Sequence, residues 1–161
     1  MTTVYLFGPI RGLSYKQATG WRIEAENRLR EVGFDVISPL FAKEYLAKQK
    51  CLKGSYEQYA LSTTHAIYAR DYWSVQISDI LLGNFLKAKL PSFGSIMEMA
   101  WGWNLGRFIV LAMENRNIHD HPFIREAASV ITPTIEEAVD IVIKSKPHEG
   151  RAWPSGRMQE Y

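Results

Sequence analysis

Glu98 is the only carboxylate in the stretch LPSFGSIMEMAWGW, residues 90–103, where it sits among Ile96, Met97, Met99, Ala100 and Trp101. Pro91, Ser92, Gly94 and Ser95 come just before it, a run of turn-formers and hydroxyls suited to wrapping a ligand. An ionisable group in an apolar helix start, directly after such a loop, is a group placed for chemistry. A second carboxylate, Asp71, lies in YARDYWSVQISD. It is either an acid or base aimed at a ligand or the surface partner of Arg70 or a lysine. The loop GPIRG (Gly8, Pro9, Ile10, Arg11, Gly12) joins glycines to one cation. Glycines let a backbone approach an anion; the same loop also reads as an ordinary strand-to-helix turn. It lacks the G-x-G-x-x-G spacing and no Walker lysine follows, which excludes a dinucleotide or NTP loop. The histidines of NIHDHPF (117–123) have neither H-x-x-x-H nor C-x-x-C company, so no metal is expected. A G-x-S-x-G elbow is also missing.

These groups need a scaffold. TVYLF (3–7) reads as a buried first strand, and Ser14 to Val32 as a helix with Ala18, Trp21, Ala25, Leu29 and Val32 on one face. FDVISP (34–39) is a second strand, and the lysine-rich 41–58 a short helix with a mobile loop. A long helix is expected from about Ala60 to Ile77, then a central strand over 79–85, a helix over 95–106 and a fourth strand over 107–114. A short helix at 121–128, a fifth strand at 129–132 and a helix capped by Thr134 complete the domain, 1–146; the tail 147–161 is expected to be loop. Strand–helix alternation of this kind predicts an α/β sandwich with a mainly parallel sheet. Ligands in such folds bind beyond the strands' carboxyl ends at the switch in strand order. That rule selects Gly8–Gly12, Asn84–Ser95 and Glu114–His121, and makes Asn84 a ligand contact. Asp79 reads as a turn or cap residue, and Trp101 and Trp103 as core or subunit interface.

A length of 161 residues, 47% apolar and 22% charged, fits one globular domain. A formal charge of +2 is too small to imply a nucleic-acid polymer as partner. No apolar run approaches the roughly 20 residues that span a bilayer. The lone Cys51 fits a reducing cytoplasm, with no internal disulfide.

Tyr5 followed by a Gly-Pro loop, Asp71 on the helix before SDILLGN, and then PSFGSIMEMAWGWNLGRFIVL resemble the nucleoside 2-deoxyribosyltransferase superfamily over most of residues 3–143. The resemblance implies a flavodoxin-like three-layer sandwich with a five-stranded sheet, no cofactor, and a homo-oligomer. It implies Glu98 as nucleophile, Asp71 as the group that handles the base, and Tyr5 as hydrogen-bond partner of the nucleophile. The chemistry follows the two-carboxylate logic of retaining glycosidases: a glycosyl ester on Glu98, with the sugar then passed to another base or to water. Two motifs lean towards the superfamily's branch that hydrolyses 2′-deoxynucleoside 5′-monophosphates. GPIRG is similar to its I-R-G loop, and Pro91-Ser92-Phe93-Gly94 to its P-S-x-G phosphate contact. His121 matches the position of a polar side chain donated by a neighbouring subunit, although histidine departs from the usual asparagine or serine. Sequence therefore leaves three readings open: a deoxyribosyltransferase, a nucleoside 5′-monophosphate N-glycosidase, and a non-catalytic nucleotide-binding protein.

Overall fold

The computed structural model describes residues 1–146; the expectation of a loop at 147–161 lies outside the described residues. Five strands form one all-parallel sheet: β1 (Thr3–Phe7), β2 (Asp35–Ile37), β3 (Ile80–Asn84), β4 (Phe108–Ala112) and β5 (Val130–Thr132), in the order β2-β1-β3-β4-β5. This is the flavodoxin-like doubly wound order, and its switch point lies between β1 and β3. Five α-helices cover the sheet: α1 (Tyr15–Glu31), α2 (Thr64–Ile77), α3 (Phe93–Asn104), α4 (Pro122–Ala127) and α5 (Ile135–Lys144).

Side-chain alternation along the strands divides the core in two. Val4, Leu6, Ile80, Leu82, Val110 and Ala112 pack on α1 and α5 through Ala25, Leu29, Ala138, Val139 and Val142. Tyr5, Phe7, Leu81, Ile109 and Leu111 pack on α2, α3 and α4 through Val75, Met99 and Ile124. Strands buried on both faces explain the near-continuous apolar run of β3. Each fully buried aliphatic side chain contributes about 1.5–3 kcal/mol of burial free energy. α1 starts on a capping box, in which the Ser14 hydroxyl accepts from the Gln17 amide and Gln17 accepts from the Ser14 amide.

Two sequence expectations need correction. The helix expected from Ala60 is interrupted: Ala60–Ser62 is a 3₁₀ turn, and Thr63 is extended. The Thr63 hydroxyl accepts from the Ala66 amide and starts α2 afresh. The helix expected from Ser95 begins at Phe93, because Ser92 takes the cap position and Gly94 fits inside the first turn. Residues 41–58 hold a short 3₁₀ helix, Glu44–Leu46, and pack on the domain through a few apolar side chains. Leu46, Leu52 and Tyr56 join Ala18 and Leu40 in a third apolar cluster. Backbone bonds from Gly12 to Leu52, Leu52 to Leu13 and Tyr15 to Gln49 tie that segment to the first loop.

Candidate active site

Glu98 lies on the inner face of α3 with Ser95, Met99 and Gly102, and is only 6% exposed. Its depth depends on Gly102, one turn further on. A Cβ there would come within 2.5 Å of the Leu81 side chain, so glycine lets α3 press against β3. Tyr5, fully buried on β1, donates its hydroxyl to Glu98 Oε1 at 2.6 Å. The expected nucleophile and its expected partner are thus in contact across the switch point.

Asp71 comes to the same place from the inner side of α2. It does not pair with Arg70, whose guanidinium donates to the Phe41 carbonyl instead. Asp71 Oδ1 is buried and has no hydrogen-bond partner, and Asp71 is among the residues that line the cavity. The carboxyls of Glu98 and Asp71, together with Gly8, Pro9, Ile10, Arg11, Ser92 and Gly94, line a cavity of about 470 Å³. The wall from the middle of the chain adds Leu46, Leu52, Lys53, Tyr56 and Ser62. Gly8 must be glycine: its φ is +148°, and a Cβ would lie 2.5 Å from the Asn84 carbonyl oxygen.

Burial sets the electrostatics. It pushes the Glu98 carboxyl well up, and the neighbouring Asp71 pushes it further; the Tyr5 hydroxyl, Arg22 and the Ser95 hydroxyl oppose this. Asp71 is also raised by burial, against Lys43, Arg70, Tyr5 and Arg22. Both carboxyls therefore resist ionisation, Glu98 the more strongly because the charge of Asp71 adds to its burial. Tyr5 is raised by burial and then by the two carboxylates, so it remains a neutral donor. Beneath them lies Arg22, 1% exposed, donating to the carbonyls of Ala18 and Gly8 and lowered by burial to about 10.

Several expected residues lie elsewhere. Asn84 and Gly12 line a second, larger groove of about 910 Å³ on the α1/α5 side. Asn84 shares strand parity with Leu82, which turns it away from Glu98. His121 is exposed and caps α4, its Nδ1 accepting from the Phe123 amide. It does not line the cavity of its own chain. Asp79 holds the start of β1, accepting from the Thr3 amide at 2.8 Å. Trp101 packs edge-on with Tyr68 and Tyr72, while Trp103 is largely exposed. Cys51 is exposed. Among the described residues no cluster of histidine, cysteine and carboxylates could hold a metal, and no helix is long and apolar enough to cross a membrane.

Sequence reasoning missed Arg22, Lys43 and Lys53, and weighed His119 only as a metal ligand. Arg22 had a signal: it falls in the helical register of Ala18, Ala25 and Leu29, where a surface arginine does not belong. Lys43 and Lys53 had none, because their segment has no periodicity.

No family model matches the chain, and no curated protein matches it. The chain is similar in structure to the Clostridium botulinum CMP N-glycosidase BcmB, with a TM-score of 0.56 over 88% of this chain and 97% of that one at 14% identity. A 3-dehydroquinate dehydratase-like protein from Bifidobacterium longum aligns at a TM-score of 0.48 and 11% identity, over 89% and 97%. At such identities the likeness is one of fold. The class defined by fold and geometry is a flavodoxin-like α/β protein with a buried carboxyl pair facing a cavity beside the switch point.

Proposed function

We propose that the protein is an N-glycosidase of (2′-deoxy)nucleoside 5′-monophosphates that works through a covalent intermediate on Glu98. The observation that carries this reading is the Tyr5 hydroxyl on Glu98 Oε1 at 2.6 Å, with Asp71 Oδ1 unpartnered in the same cavity. Tyr5 fixes one carboxyl oxygen and so orients the other for attack at the anomeric carbon. As the glycosyl ester forms, the bonding pair of the C–N bond leaves with the base, which takes its proton from Asp71. Water then attacks the anomeric carbon and gives a proton to Asp71, the bond from that carbon to Glu98 breaks, and Glu98 is released as carboxylate.

Support for a 5′-phosphate comes from the cavity's rim. Arg11 and Lys53 are both there, as are Ser92, Phe93, Gly94 and Ser95 at the start of α3. The first turn of α3 has no acidic side chain, so its positive end is open to an anion. The likeness of fold to a protein described as a CMP N-glycosidase agrees with this reading.

A second reading is transfer of the sugar to a free nucleobase from the same ester. Ile10, Leu46, Leu52, Ile67 and Phe93 favour it, as an apolar wall that takes a planar base in place of water. In either reading a second copy of the chain joins through the aromatic outer faces of α2 and α3 and supplies His121 to the phosphate. The test is incubation with a panel of nucleosides and monophosphates, with and without a second base, reading free base and new nucleoside by chromatography. Free base from monophosphates alone supports the glycosidase; a new nucleoside supports transfer. Cleavage of neither class leaves a non-catalytic nucleotide-binding protein.

A further inference from the structure

The loop after β4 holds the loop after β3 by three side chains, none of which lines the cavity of the carboxyl pair. The Glu114 carboxylate accepts from the Lys87 amide at 3.1 and 3.3 Å, where Lys87 is in the left-handed region with φ 58°. Asn117 Nδ2 donates to the Phe85 carbonyl at 2.7 Å. His119 Nε2 accepts from the Ser92 amide at 2.8 Å.

His119 has one workable protonation state. Its ring is 3% exposed and stacks on Phe85, with centroids 4.3 Å apart and planes at 28°. Asn117 Oδ1, fixed as an acceptor by the His119 amide at 2.8 Å, lies 3.1 Å from Nδ1. Nδ1 therefore carries the hydrogen, and Nε2 presents a lone pair to the Ser92 amide. Ser92 heads α3 and makes no side-chain cap; its hydroxyl donates to Ser95 Oγ at 2.9 Å, and the Ser95 hydroxyl is one of the groups that oppose the rise of the Glu98 carboxyl. A single imidazole thus anchors a chain of polar groups that leads to the carboxyl pair.

We propose that His119 is a positioning residue that holds the Ser92 end of α3 against the substrate's anionic group, and does so only as the neutral Nδ1–H tautomer. Protonation would set two N–H donors against each other at Nε2 and the Ser92 amide, and release the loop. Among groups facing the ring, Glu114 on its own loop favours the cation, while Phe85 and Ser92 on the opposite loop do not titrate. Burial outweighs Glu114 and lowers the imidazole, so the latch stays closed at neutral pH and opens only in acid.

The deciding measurement does not need turnover. In ¹⁵N NMR from mildly acid to neutral pH, wild type should show the Nδ1–H tautomer, and hydrogen-exchange protection of the Ser92 amide should vanish as His119 titrates. H119Q keeps an acceptor without titrating, so protection should persist throughout. H119F keeps the stacking and loses the acceptor, so protection should be absent at every pH. The kinetic arm rests on the glycosidase reading: H119F should raise KM for a monophosphate roughly tenfold with kcat less changed, the effect of one lost bond near a charged group, and H119Q should restore it. An Nε2–H tautomer, or Ser92 protection indifferent to His119 titration and to H119F, overturns the proposal. A complete lack of cleavage by wild type would refute the proposed function and leave the NMR arm to decide on His119.

Discussion

Glu98 and Asp71 are expensive residues to bury, and that expense is measurable. The Glu98 carboxyl is raised above its ordinary value of 4.5, first by burial and then by Asp71. The folded chain therefore binds that proton more tightly than the unfolded chain does. The sign follows: this contribution to stability is fully present below pH 4.5 and is lost as pH rises through the raised value. Glu98→Gln should match wild type in acid and melt at a higher temperature above pH 4.5, with the gap widening as pH rises. The same variant should lose roughly a thousandfold or more of its N-glycosidic activity, as expected for a missing nucleophile. Equal melting temperatures at neutral pH would show that the carboxylate carries no such burden. Asp71→Asn tests the other half of the pair. Cleavage should slow most for substrates whose base is a poor leaving group, because proton donation matters most there. Uniform slowing across a series of bases would assign Asp71 to binding.

In the proposed reading, the loop Gly8–Gly12 and the first turn of α3 form the cradle for the 5′ end. Arg11 is exposed at the rim of the cavity, so its removal should leave the fold intact. With a charge-assisted phosphate contact typically worth about 1.5–3 kcal/mol, monophosphates should be preferred in kcat/KM by roughly tenfold or more. Arg11→Ala should erase the preference and spare the nucleoside, as read from paired kinetics; a wild-type preference for the unphosphorylated nucleoside would remove the cradle. The legible parts of this site were those with a local cause. Glu98 was visible because a charge in an apolar stripe is out of place, and GPIRG because glycine punctuates a strand end. The five strands were visible from apolar runs between turn residues. Asn84 was misplaced because the switch-point rule selects a strand end without saying which face its last side chain takes. His119 was read only for metal spacing, since its partner Ser92 is 27 residues away and no local pattern announces the bond.

Across the molecule, one face stands out by composition. α2 and α3 carry only Arg70, Asp71 and Glu98 as Asp, Glu, Lys or Arg, while Tyr68, Tyr72, Trp73, Met97 and Trp103 are exposed. An exposed apolar patch of this kind marks an interaction surface. If a second copy docks on this face as proposed, Trp73→Glu should convert the dimer to a monomer in sedimentation velocity, and KM for monophosphates should rise as His121 of the second copy is lost. A wild type that sediments as a monomer at assay concentrations would end the shared-site reading. The contact between Tyr5 and Glu98 spans 93 positions of the chain and requires β3 to be seated beside β1 with α3 folded over it. Such a contact is a clock as well as part of the proposed catalytic site. Parallel pairing over long separations is slow to form, so on dilution from denaturant helical ellipticity should return first and turnover last, in step with the slowest phase. Newly made chains would then pass through a compact interval in which the carboxyl site is not yet assembled.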